Sequence, residues 1–132
     1  MSRFTGPIDV RMTRSNEHGR PVWRLLSPLV YHVGFEGSPD VVEVPAGFGT
    51  DGVSVPLPFA WLVPVLEHST FRPACVHDFL WTQHQAGRAS GRSRREIDAI
   101  LLEALLVMRV PRFKAYLMWA AVRLQAIWSG DR

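Results

Sequence analysis

With 132 residues, 47% of them hydrophobic and 20% charged, the chain can build one globular domain around a single core and is too short for a second. A net charge of +3 is too small for the intense positive field of a dedicated nucleic-acid binder, and the isoelectric point of 9.7 reflects an arginine excess that supports weak anion affinity at most. The lone cysteine, Cys75, excludes an intramolecular disulfide and a thiolate zinc cluster, suits a reducing compartment, and reads as a small core residue rather than a nucleophile.

The N-terminus lacks the apolar run of a secretory signal. Ile8 to Met12 and Val22 to Leu26 are β-prone and flank Asn16-Glu17-His18-Gly19, which predicts a hairpin. Leu29 to Phe35 and Val41 to Val44 flank Glu36-Gly37-Ser38-Pro39-Asp40 and predict another. Pro45, Pro56, Pro58 and Pro64 then each remove a backbone donor and fix φ, so Ala46 to Val65 is expected to be an ordered loop anchored by Phe48, Phe59, Trp61 and Leu62. A first helix is expected from about Arg72 to Gln83, with Pro73 in its first turn. Ser93-Arg94-Arg95-Glu96 fits a capping box, and Ile97, Ile100, Leu101, Ala104, Leu105 and Met108 follow at helical spacing, which predicts the second helix. Pro111 opens a third, reaching about Trp128 and ended by Ser129-Gly130. The class is α+β: a small antiparallel sheet in a β-rich region 1–45, a Pro/Gly-rich loop over 46–68, and about three helices in 69–129 packed against the sheet. The apolar stretches of the helical half are broken by Glu103, Arg109 and Arg123 and fall short of the roughly 20 residues of a membrane span. No transmembrane segment is expected, although the greasy C-terminal segment could dock on a partner.

Two polar islands in apolar sequence are the site candidates, Thr50-Asp51-Gly52-Val53-Ser54-Val55-Pro56 and His77-Asp78, because a charge there is costly unless paired, hydrogen-bonded or bound to something. Consecutive helical side chains diverge by about 100°. His77 and Asp78 can still address one ion lying between them, and imidazole with carboxylate oxygen suits Zn, Mn or Fe. Asp51 would add an oxygen ligand, and Asp98 another ligand or a hydrogen-bond partner behind the ligands. On this reading Asp51, His77 and Asp78 hold a divalent metal and carry catalysis, with a metal-bound water as nucleophile. The spacing is not a known zinc signature, so a hydrogen-bonded cluster locking loop to helix stands beside it. Ser54 in Gly52-Val53-Ser54-Val55-Pro56 resembles a nucleophile elbow only vaguely, since Pro56 replaces the closing glycine and the strand-turn-helix context is missing. It serves better as a loop builder and binding residue.

Asp98 lies near Leu102 and Leu105 on the second helix and needs a cation, for which the third helix offers Arg112, Lys114 and Arg123. A buried Asp98–Arg123 pair is expected. Arg88, Arg92, Arg94 and Arg95 cluster at the start of the second helix and oppose its dipole. A small anion near Arg94 and Arg95 would resolve the conflict, with a solvated basic loop as the plainer alternative.

Val44-Pro45-Ala46-Gly47-Phe48-Gly49-Thr50-Asp51-Gly52-Val53-Ser54-Val55-Pro56, then Ala74-Cys75-Val76-His77-Asp78-Phe79-Leu80-Trp81, then Arg95-Glu96-Ile97-Asp98 and Ala121-Val122-Arg123 resemble the successive blocks of a family of small uncharacterised proteins common in tailed bacteriophages and prophages. The resemblance covers Val41 to about Arg123 and implies a phage or prophage origin, with a place in the host cytoplasm or the virion. It supplies no activity. The chain departs from the family pattern at Val53, where a smaller residue is usual, at the apolar Leu57, and at Phe79 and Trp81, where tyrosine is frequent; the polar members are kept. Two functions follow. One is a metal-assisted hydrolase acting on cell-wall or phosphorylated substrates. The other is a non-enzymatic virion-associated or host-interaction protein whose Asp/His cluster is structural.

Overall fold

A computed structural model of the chain describes residues 4–5, 9–15, 21–50, 68–87 and 92–130. Among the described residues six strands precede three helices: β1 (Phe4–Thr5), β2 (Val10–Ser15), β3 (Pro21–Leu25), β4 (Leu29–His32), β5 (Val41–Val44), β6 (Gly49–Thr50), α1 (His68–Gln85), α2 (Arg94–Val107) and α3 (Arg112–Trp128). Both expected hairpin pairings form. β2 lies antiparallel to β3 with Val10 opposite Leu25, and β4 antiparallel to β5 with Leu29 opposite Val44 and Tyr31 opposite Val42. The α+β class therefore holds, but the strands pair as two three-stranded sheets, β1-β4-β5 and β2-β3-β6.

β6 falls inside the segment expected to be loop. It is delivered by a turn in which the Phe48 amide donates to the Pro45 carbonyl at 3.2 Å and Gly47 takes φ +90°, a value open to glycine at little cost. Gly49 then approaches β3 so closely that a Cβ there would lie 3.2 Å from both Arg24 Nη1 and Val22 Cγ1. A side chain there would require Arg24 or Val22 to give way by a few tenths of an ångström.

Alternation along β4 and β5 turns Leu29, Tyr31, Val42 and Val44 to one buried face. With Phe4 and Leu25 they pack against Cys75, Val76 and Leu80 of α1 and Ile97, Ile100 and Ala104 of α2. Leu101 and Leu105, on another side of α2, form a separate cluster with Val110, Ala115, Met118 and Val122. α2 is thus sandwiched between the sheet with α1 and the third helix, as its apolar circumference predicts.

α1 starts at His68 rather than near Arg72, so Pro73 stands inside the helix and not in its first turn. Proline disfavours helical geometry in the residue before it, which is why sequence alone puts the boundary there. Thr70 and Phe71 are buried at 1% and 4% exposure, and their packing holds the extra turn against that preference. The Ser93 cap forms as expected: its φ and ψ are −76° and 164°, and its Oγ accepts the Glu96 amide at 3.2 Å. Pro111 occupies the N-cap position of α3 without a side-chain cap bond, and Ser129 closes the helix before Gly130 at φ +79°. Ser93→Ala should cost about 1 kcal/mol in urea unfolding with an unchanged denaturant slope, and Ser93→Asp should restore most of it.

Candidate functional site

Each helix contributes to one polar cluster by simple turn spacing. α1 presents His77 and Trp81 one turn apart, α2 presents Arg94 and Asp98 one turn apart, and α3 presents Arg123 beside the Val122 carbonyl. Asp98 is fully buried. Its Oδ1 accepts from His77 Nε2 at 2.7 Å and from Arg94 Nε at 3.0 Å, and its Oδ2 accepts from Arg123 Nη1 at 2.8 Å. Arg94, only 2% exposed, also donates from Nη2 to the Val122 carbonyl at 3.4 Å and lies over the Trp81 ring at 5.0 Å from its centroid. The guanidinium is therefore accepted on its edge by a carboxylate and a carbonyl and on its face by an aromatic ring, the three contacts that suit its planar charge.

Burial alone would raise the pKa of Asp98. The hydrogen bond from His77 and the positive charges of His77 and Arg94 outweigh that, and the carboxyl titrates below its ordinary value of 3.8. Asp98 is therefore ionised at neutral pH and can only accept hydrogen bonds. It follows that His77 donates through Nε2, so in the neutral imidazole the lone pair sits on Nδ1. That nitrogen makes no hydrogen bond among the described residues.

The expected Asp98–Arg123 pair is present, and Arg94 joins it unannounced. Arg94 and Arg95 do not form one anion-binding surface: Arg94 is spent on Asp98 in the interior, while Arg95 is exposed. The helical period separates them, because neighbours diverge by about 100° and only positions three or four apart share a side. Asp78 is half-buried one position beyond His77. Burial first, and then the nearby Asp78 charge, push the Cys75 thiol up to about 12, which makes Cys75 an inert core residue as expected. Asp51 and Ser54 lie outside the described residues. Phe48, at the entry to their block, packs edge-on against Phe79 of α1 with ring centroids 5.3 Å apart. Among the described residues no three His, Cys, Asp or Glu side chains are grouped to hold a metal ion.

Glu103, in sequence only an interruption of an apolar run, has a structural role. Its Oε1 accepts from Tyr31 Oη at 2.6 Å and from the Gly34 amide at 2.9 Å, tying α2 to the end of β4. The available signal was a carboxylate on an apolar helix together with an inward-facing tyrosine on a strand, each needing a polar partner.

The fold and the cluster define an α+β protein whose three helices meet at one buried carboxylate. Residues 23–122 match the family described as Protein of unknown function (DUF1353), and the chain belongs to that family. No curated protein and no solved structure matches the chain.

Asp98→Asn should cost about 3–5 kcal/mol in urea unfolding, because it leaves two inward-facing guanidinium groups without a counter-charge. The folded pKa of Asp98 is depressed, so the stability from its ionisation is complete above the ordinary value of 3.8 and is lost as pH falls through the folded value. The gap between wild type and Asp98→Asn, followed by thermal unfolding, should be wide near neutral pH and narrow below about pH 4. A gap unchanged down to about pH 2 would contradict this placement of the charge.

Proposed function

We propose that the protein is a phage- or prophage-encoded hydrolase acting on a cell-wall or phosphorylated substrate, with His77 as the group that takes a proton from the attacking water. The observation that carries this reading is the orientation of His77: Nε2 is held by the buried Asp98 at 2.7 Å and Nδ1 is not engaged by any described residue. A carboxylate behind an imidazole fixes the tautomer and favours the imidazolium formed during proton transfer. Water loses a proton to Nδ1 as its oxygen attacks the electrophilic carbon or phosphorus, and the proton then passes to the leaving group. Arg94 and Arg123 already compensate much of the Asp98 charge, so its larger contribution is to orientation. Asp78, with Asp51, would supply oxygen ligands for a divalent ion, and such an ion would polarise the reacting bond. With Nδ1 of His77 reserved for the proton, the ligands would be oxygens and would suit Mn better than Zn.

A specific observation favours a second reading. Both oxygens of Asp98 are engaged by protein groups, and its partners come from all three helices, which is what a structural lock requires. The protein is then a non-enzymatic virion-associated or host-interaction component.

His77→Gln keeps an N–H for Asp98 and removes the Nδ1 lone pair, so it separates the two. Peptidoglycan, a phosphate monoester and a carboxylic ester should be assayed with wild type and variant, each with Mn or Zn added. On the hydrolase reading turnover falls by about 10²–10⁴-fold in the variant while the melting temperature changes little. Full turnover in His77→Gln would end it. Absence of turnover in the wild type, together with early melting of His77→Ala, would leave the lock.

A further inference from the structure

β5 ends its sheet, and one side of it is unpaired among the described residues. The Val33 amide donates to the Asp40 carbonyl at 2.8 Å, in the register that sets Tyr31 opposite Val42. Bonded pairs alternate along an antiparallel ladder, so Val42 and Val44 turn their backbone groups to β4 while Val41 and Glu43 turn theirs outward. No described residue hydrogen-bonds those outward groups. Beside this edge lies a cavity of about 180 Å³, floored by Phe79, Leu80 and Gln83 of α1. Arg92, paired with Asp40, bounds it where β5 begins. Glu43 is exposed and has no cationic partner among the described residues.

We propose that this edge binds an extended peptide segment of another protein, added as a strand antiparallel to β5 and carrying a basic, a large apolar and a β-branched residue in that order. The edge selects the backbone, because only an extended chain offers amide and carbonyl groups at the spacing of Val41 and Glu43. The peptide residue opposite Glu43 lies on the exposed face, where a basic side chain answers the unpaired carboxylate. The next, opposite Val42, points inward. The cavity there exceeds the roughly 150 Å³ that holds a benzene ring, so it takes a leucine-sized side chain against Phe79 and Leu80. The third, opposite Val41, stands on a half-exposed pleated surface that suits β-branching. A second copy pairing through its own β5 meets neither need. With Val41 of each copy opposite Glu43 of the other, Val42 of the second copy falls opposite Val42, and that side chain is already buried in its own core. The cavity stays empty and neither Glu43 gains a cation. This inference does not depend on the chemistry of His77.

The test titrates the full chain into a fluorescein-labelled peptide, Thr-Ser-Lys-Leu-Val-Ser-Thr, and reads anisotropy. Wild type should bind it saturably. N-methylation of the lysine and valine amides, which face β5, should weaken binding about tenfold or more, whereas N-methylation of the leucine amide, which faces away, should not. Replacing the peptide lysine by glutamate should weaken binding about two- to fivefold, and Glu43→Lys should reverse that preference. Val41→Pro removes an outward N–H and no internal bond, so it should keep its circular dichroism spectrum and bind about tenfold more weakly. His77→Gln should bind as wild type does, so failure of strand addition and failure of the hydrolase reading are seen separately. No saturable binding by wild type up to about 1 mM peptide, or binding that survives N-methylation of the lysine and valine amides, would overturn the proposal. A wild-type dimer that Val41→Pro disperses, with no peptide bound, would overturn it in favour of a second copy.

Discussion

Asp98 carries a charge with no access to water, and the three helices are arranged so that this charge is answered. Left alone in an apolar interior an ionised carboxylate is far too costly to tolerate, and attraction to its partners offsets that cost only with close geometry and satisfied hydrogen bonds. Here the bonds arrive from α1, α2 and α3 at 2.7, 3.0 and 2.8 Å. Each also fixes a rotation. Turning α1 by one residue would carry both His77 and Trp81 about 100° away from α2 and expose the face of Arg94 that the indole covers. Apolar contacts hold the helices together, but they would tolerate such a slip more readily than the cluster does.

The lock and the proposed reactive group are one arrangement with two sides. On the inner side of the imidazole, Nε2 helps neutralise a buried carboxylate; on the outer side, the same bond decides which nitrogen carries the lone pair. A reactive side chain on a helix, restrained by a buried partner on the next helix, is held more firmly than one on a loop. Stability and the proposed chemistry at His77 would both pass through Asp98, and a substitution that keeps the donor while removing Nδ1 is the way to separate them.

The reach of Asp98 extends to the surface. Because Arg123 must turn inward to meet it, the rotation of α3 about its own axis is set, and the side opposite its core-facing residues is left facing solvent with Phe113, Leu124 and Ile127 upon it. An interior ion pair thereby decides which apolar residues the protein displays. Glu103 plays a smaller version of this part at the other end of α2, where it receives Tyr31 and the Gly34 amide and fastens the helix to β4.

What the sequence by itself determined is what local chemistry determines. The hairpin pairings, the Ser93 cap and the end of α3 at Ser129-Gly130 depend on turn residues, alternation and groups a few positions apart, all of which are visible in order along the chain. The need of Asp98 for a cation was also visible, since an acid in an apolar helix implies one. Arg94 was hidden, because a guanidinium in the first turn beside Arg92 and Arg95 reads as surface charge until Trp81 is packed over it. The division into two sheets and the two-residue strands β1 and β6 were decided by pairing across long sequence separations, where two residues show no period to read. The extra first turn of α1 came from burial of Thr70 and Phe71, and the Tyr31–Glu103 bond spans 72 positions. In each of these cases burial changed the free energy of a polar group or backbone choice, and burial is a property of the packed chain that no local stretch of residues contains.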